Sequence, residues 1–293
     1  MVLSTIHWNS TVAPAGGAWS AASNWVGGVV PGADDDAIID LTSPGAVKVS
    51  ADATIKSLTA DIDTTFTLSG GVFTITADST LSGPYTQSGG ELTGDGTLNV
   101  GGLLTWTNGT MSGAGVTNAN GGMAIGDSKA FKNFNLKQRT LNNKGDATLA
   151  GVTSNTGGLR LSGGATINNL PGASFSIIDD VYIFAAGDGE TFNNQGTLAK
   201  TGDDGVTHIQ VALNNAGVVR AESGTLGLWG PFSNYSATTK TLTGGSYIVS
   251  ATLRFTGADV ATNAADITLI GADSKILDTS NNDALRNLAS NTV

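Results

Sequence analysis

Four times between residues 141 and 219 the chain repeats one short phrase: an apolar residue, two asparagines, a turn containing glycine, then alternating apolar residues. It reads Leu141-Asn142-Asn143-Lys144-Gly145-Asp146-Ala147-Thr148-Leu149, then Ile167-Asn168-Asn169-Leu170-Pro171-Gly172-Ala173-Ser174-Phe175. It returns as Phe192-Asn193-Asn194-Gln195-Gly196-Thr197-Leu198 and as Leu213-Asn214-Asn215-Ala216-Gly217-Val218-Val219, with weaker copies around Asn118 and Asn234. The first asparagines fall at 118, 142, 168, 193, 214 and 234, in steps of 24, 26, 25, 21 and 20. That interval belongs to solenoids, in which each repeat buries its apolar face only against its neighbours.

The segments between these marks read as strands. Phe73-Thr74-Ile75, Thr97-Leu98-Asn99-Val100, Leu159-Arg160-Leu161 and Tyr247-Ile248-Val249 alternate with period two. Glycine pairs bound them, among them Gly70-Gly71, Gly89-Gly90, Gly101-Gly102 and Gly244-Gly245. An antiparallel sandwich uses strands of five to six residues with hairpins at 8–12-residue spacing. A parallel β-helix uses shorter strands and a longer repeat, which the asparagine interval favours. Asparagine at equivalent corners can also stack its amides into a hydrogen-bonded ladder and tolerates the left-handed backbone of a sharp bend. The expected ladder residues are Asn142, Asn168, Asn193 and Asn214. The expected fold is all-β: a right-handed parallel β-helix (β-solenoid) over residues 45–293, about eleven coils at roughly 22 residues each, behind an N-terminal cap over residues 1–44.

Composition narrows the classes further. The 293 residues include 41 Gly, 6 Pro and no Cys, and 13% are charged. Collagen would need far more Gly and Pro, a disulfide scaffold needs Cys, and 40% hydrophobic residues argue against disorder. The net charge of −10, with no basic run, lacks the footprint of a nucleic-acid binder. Attraction to anionic lipid is disfavoured for the same reason, and no apolar stretch approaches the ~20 residues of a membrane span. Neither nucleic acid nor membrane insertion is therefore expected. Met1–Trp8 has neither the basic nor the apolar region of a signal peptide. At the other end, residues 281–291 read equally as a short helix or as a bend between coils. The chain is expected to be part of a longer coil stack.

Residues 7–40 differ from the rest. They hold Trp8, Trp19 and Trp25, in His7-Trp8-Asn9, Gly17-Ala18-Trp19 and Asn24-Trp25, followed by Gly28-Val29-Val30-Pro31-Gly32 and the acidic apolar stretch Asp34-Asp35-Asp36-Ala37-Ile38-Ile39-Asp40. This resembles the opening segment of large bacterial secreted repeat proteins, autotransporter-like adhesins included; the Asn/Gly coils resemble theirs more loosely. The resemblance implies a right-handed parallel β-helix in an extracellular or cell-surface protein, adhesive or matrix-forming, and brings no catalytic residues. The three tryptophans are read as part of the cap.

The chemical candidates are few. Asp179, Asp180, Asp203, Asp204 and His208 lie about one coil apart, so a β-helix enzyme acting on polysaccharide, a lyase or glycoside hydrolase, could align them on one face. Only Lys200 and Arg220 supply positive charge nearby, which weakens a lyase. Trp106 and Trp229 are candidate glycan-stacking residues, although core packing suits their alternating neighbours better. No nucleophile elbow or phosphate loop occurs. No cofactor is expected. Calcium could sit on the acidic turns, with Asp188 and Glu190 as candidate ligands, but no cluster matches the EF-hand or nonapeptide spacing, and carboxylates at solvated turns explain them more simply. The sequence points to a non-enzymatic extracellular structural or adhesive module of a bacterial surface or biofilm-matrix protein. Its expected partners are copies of itself in a filament, neighbouring coils of a larger protein, or glycan. The alternative is the polysaccharide-directed enzyme or binding module.

Overall fold

The computed structural model describes residues 4–127, 133–151 and 158–292; residues 1–3 of the opening segment lie outside this range. Short parallel strands stack as a β-solenoid of about ten turns, and helix is limited to the 3-10 turns Ala22–Asn24 and Val26–Gly28 among the described residues. The chain divides into two compact units, Met1–Ile125 with Phe134–Gly145, and Gly126–Asn133 with Asp146–Val293.

In the first unit, Thr5–His7 pairs in parallel with Asp36–Ile39, which pairs with Ser57–Ala60. The ladder continues through Ser79–Leu81, Leu98–Val100 and Val116–Ala119 to Thr140–Asn143. A second ladder runs from Gly16–Ala18 through Gly45–Val49, Thr64–Leu68, Tyr85–Thr93 and Leu104–Met111 to Met123–Ile125. The tryptophan-rich opening segment therefore contributes strands to both ladders and is itself a turn of the solenoid. Its Trp8 and Trp19 both meet Trp25 edge to face, with ring centroids 5.0 and 4.7 Å away. Trp19 also packs on Phe66 and Phe73, seating the cluster on the first coils. Two indoles are tied to backbone, Trp8 Nε1 donating to Ala13 O at 2.9 Å and Trp25 Nε1 to Trp19 O at 2.8 Å.

Parallel register stacks like on like. Phe66, Tyr85, Leu104 and Met123 succeed one another in one inward column, all buried, while Thr65, Thr67, Thr86 and Thr105 point outward. Side chains alternate across a strand, so a sequence of small polar residues between apolar ones gives a wetted exterior with little charge. Long strands such as Tyr85–Thr93 pass through a bulge at Ser88 and Glu91 and join two faces into one ladder; the structure coils rather than closing as a barrel, because each strand pairs with its equivalent one turn on. The bulge corner needs glycine. Gly71, Gly90 and Gly109 all have positive φ (70°, 66° and 95°), and a Cβ on Gly109 would lie 2.4 Å from the carbonyl oxygen of Gly90.

The second unit repeats the plan. Thr166–Asn169, Thr191–Asn194 and Ala212–Asn215 form one ladder. Ser174–Ile177, Thr197–Lys200, Val218–Ala221, Thr241–Val249 and Thr262–Leu269 form a second. The third runs from Gly158–Ser162 through Tyr182–Ala185, Val206–Ile209, Thr225–Leu228 and Thr252–Phe255 to Lys275–Leu277. Residues 281–288 form turns, not a helix: buried Ala284 donates to Ile276 O and accepts from Val260 N–H, folding the segment against its own coil.

Candidate functional site

Each Asn-Asn pair straddles the sheet, because alternation sends the first side chain outward and the second inward. In the outer row, Asn142 Nδ2 donates to Asn118 Oδ1 at 2.7 Å and Asn118 Nδ2 to Asn99 Oδ1 at 2.8 Å. In the second unit, Asn214 Nδ2 donates to Asn193 Oδ1 at 2.7 Å and Asn193 Nδ2 to Asn168 Oδ1 at 2.8 Å. These are the four residues that the spacing singles out, joined by Asn99 and Asn118. The inner row was not expected. Asn169 Nδ2 donates to Asn194 Oδ1 and Asn194 Nδ2 to Asn215 Oδ1, both at 2.8 Å, with Asn169 and Asn194 wholly buried. The inner amides also hold the following turn: Asn169 and Asn194 donate to the carbonyls of Thr197 and Val218. Asn234 belongs with this inner row, not with the outer asparagines its spacing suggested. Leu213 pairs with Phe232, so Asn234 stands opposite Asn215 and accepts its backbone N–H at 2.9 Å.

Where these rows meet the surface they line a polar groove of about 250 Å³, bounded by Asn193, Gln195, Asn214, Ser233, Asn234 and Thr243. Amides and hydroxyls dominate it, and no ionisable side chain lines it. A second groove of about 370 Å³ is lined by Trp229, Pro231, Phe232, Tyr235 and Thr256.

The acidic constellation spans two adjacent coils, where Tyr182 pairs with His208. Asp180 is buried and its Oδ1 accepts from Lys200 Nζ at 2.7 Å, the lysine itself being fully buried and donating also to Gly202 O. Asp179 Oδ2 accepts the backbone N–H of Gly151 at 2.8 Å. Asp203, in a left-handed backbone conformation (φ 43°), and Asp204 are exposed on the following turn. Adjacent coils thus bring 179–180 near 200–208, as spacing required, yet the two inner carboxylates are held by structural donors. Acid catalysis needs a pair of carboxyls facing one substrate; of these four, Asp180 is paired with Lys200 and Asp179 holds the Gly151 N–H.

His208 stands in an aromatic row. Its ring stacks on Tyr182 at 4.2 Å and 3° and on Trp229 at 5.1 Å and 15°, and Tyr182 stacks on Phe184. Burial, with Arg254 adding repulsion, holds its pKa below the ordinary 6.5. Trp229 reaches this row because Gly227 precedes it: a Cβ on Gly227 would lie 2.3 Å from Trp229 Nε1. Trp229 keeps partial exposure and borders the aromatic groove. Trp106 has none. It is fully buried, 5.8 Å from Phe134 edge to face, and has no surface on which a sugar could stack.

The burial of two ionic side chains, Arg139 and the candidate calcium ligand Glu190, gave no sequence signal. Arg139 is wholly buried, with Nε donating to Thr117 Oγ1 and the two terminal nitrogens to the carbonyls of Gly94, Ser112, Gly96 and Val116. Desolvation lowers its pKa to about 10, so it stays charged at neutral pH. Glu190 is 2% exposed and neither carboxylate oxygen has a hydrogen-bond partner among the described residues. Asp188, two residues earlier, is exposed.

Comparison of the chain with family models, with curated proteins and with solved structures returned no match.

Proposed function

We propose that this chain is a non-enzymatic structural and adhesive β-solenoid module of a bacterial surface or matrix protein. The observation that carries the reading is the commitment of its candidate catalytic carboxylates to structure: Asp180 to Lys200 and Asp179 to the Gly151 N–H, with Asp203 and Asp204 exposed beside them. Polar side chains elsewhere follow the same pattern, joining coil to coil through amide rows. The amide- and hydroxyl-lined groove, which carries no ionisable side chain, suits adhesion to uncharged partners. Extracellular placement rests on the composition and on the resemblance of residues 7–40 to secreted adhesins.

A second reading, glycan binding without turnover, is favoured by the groove that Trp229, Phe232 and Tyr235 line beside the amide groove at Asn214 and Asn234. Aromatic surfaces and planar amides are the groups that hold neutral sugars. The test of the main reading is incubation with a panel of neutral and acidic polysaccharides, following reducing ends and unsaturated-product absorbance. No turnover is expected. Turnover abolished by Asp179→Ala or Asp203→Ala would overturn the non-enzymatic reading. Self-association is tested by electron microscopy at rising concentration, where single particles throughout would count against fibre formation.

A further inference from the structure

Glu190 occupies a place built for an aliphatic side chain. Thr166 pairs with Thr191 and Thr191 with Ala212, so the residue before each strand forms a column of Ala165, Glu190 and Val211. Ala165 and Val211 are 0% and 1% exposed, and Glu190 is 2% exposed. Both of its carboxylate oxygens are shielded from solvent, with no hydrogen-bond donor and no ion pair among the described residues. A bare buried carboxylate is among the costliest groups a core can hold.

No N–H or O–H donor reaches the carboxylate among the described residues. The side chain tucks under the turn Ala186-Gly187-Asp188-Gly189, with Oε1 3.1 Å from where a Cβ on Gly187 would stand. The carbonyls of Gly164 and Gly189 already accept the hydroxyls of Thr166 and Thr191. An unpartnered carboxylate on a turn is met favourably by a cation, which turn carbonyls can share as ligands. Asp188 adds a second carboxylate on the same turn.

We propose that the Gly187–Glu190 turn is a binding site for a hard divalent cation, Ca²⁺ in chemical class, with Glu190 as its anchoring ligand and Asp188 and turn carbonyls completing an oxygen shell. Ca²⁺ accepts irregular sets of carboxylate, carbonyl and water oxygens, whereas Mg²⁺ demands near-ideal octahedral geometry. No three acidic or histidine side chains converge among the described residues, so carbonyls and water must supply much of the shell. Affinity is then expected near the weak end of protein calcium sites, roughly 0.1–1 mM. This inference stands apart from the adhesive reading.

The test uses the full chain after EDTA dialysis, with CaCl2 as the probe. Calorimetric titration should show saturable binding. At about 10 mM CaCl2 the thermal midpoint should rise by roughly 3–6 °C over the EDTA sample. Glu190→Gln and Glu190→Val should lose that shift, and Asp203→Asn, on an exposed turn elsewhere, should keep it. The valine variant matches Val211 in the next coil and should fold at least as well as the calcium-free protein. Absence of binding heat and of any shift in the native chain overturns the proposal. So does a full shift retained in Glu190→Gln, or one lost equally in Asp203→Asn.

Discussion

Arg139 and Glu190 hold comparable posts in the two compact units: each immediately precedes a strand of the asparagine face, Thr140–Asn143 and Thr191–Asn194, and each is buried. Their fates differ completely. Arg139 has donors in a planar fork and meets one hydroxyl and four carbonyls. Glu190 has only acceptors and meets none. The contrast shows what such a corner is chemically. At the Arg139 corner backbone carbonyls solvate the cation, whereas at the Glu190 corner no backbone N–H is aimed at the anion among the described residues. A buried charge is tolerable here when the corner supplies its partners, as it does for Arg139 and for Asp180 with Lys200.

The sharpest way to break this comparison is to remove the satisfied partner. Arg139→Met leaves four buried carbonyls and the Thr117 hydroxyl without their donor, and should cost about 3–5 kcal/mol in urea denaturation. Arg139→Lys should recover only a minor part, because one ammonium cannot reach the directions of a guanidinium fork. A loss below about 1 kcal/mol for Arg139→Met would show that corner carbonyls do not need the cation.

The asparagine rows offer an intermediate effect. Asn194→Ala removes bonds to Asn169, Asn215 and Val218 in a fully buried setting and should cost about 2–4 kcal/mol. Asn193→Ala, one residue away on the outer row, removes two bonds that water can replace and should cost about 1 kcal/mol or less. Equal losses in denaturant midpoint would erase the distinction between the rows.

The smallest expected effect is a pH dependence at His208. Burial favours its neutral form, so its folded pKa lies below the ordinary 6.5. Its contribution is complete above pH 6.5. It is lost as pH falls from 6.5 through the folded pKa, because the unfolded chain takes up the proton first. His208→Phe should keep the stack between Tyr182 and Trp229 and flatten the stability profile just below pH 6.5. An unchanged slope in the variant would assign that pH dependence elsewhere.

Much of the fold was legible because its signals are local. Paired glycines mark bends where no other residue fits, as Gly71 and Gly90 do, and the Asn-Asn pairs recur once per turn. Period-two parity held more than the spacing argument drew from it. It places Asn143, Asn169 and Asn194 inward beside Leu141, Ile167 and Phe192, and it places Trp106 inward with Leu104. The burial of Arg139, Lys200 and Glu190 was not legible. A single charged residue beside Gly, Thr or Ser has the composition of a solvated turn, and only the three-dimensional corner decides whether it is wet or dry. The acidic constellation shows the limit of spacing: Asp179 and Asp180 do come near the next turn, but the direction of each carboxylate is set by Gly151 and Lys200, whose roles no interval encodes.

The central claim, that the charged and amide groups of this chain bind its coils together and do not turn over a substrate, is tested most directly by Asp180→Asn read in parallel for polysaccharide turnover and for urea midpoint. The account predicts no turnover in either protein and a midpoint lowered by the equivalent of about 2–3 kcal/mol, because buried Lys200 loses its counter-charge. Turnover in the native chain that vanishes in the variant, with the midpoint unchanged, would contradict it.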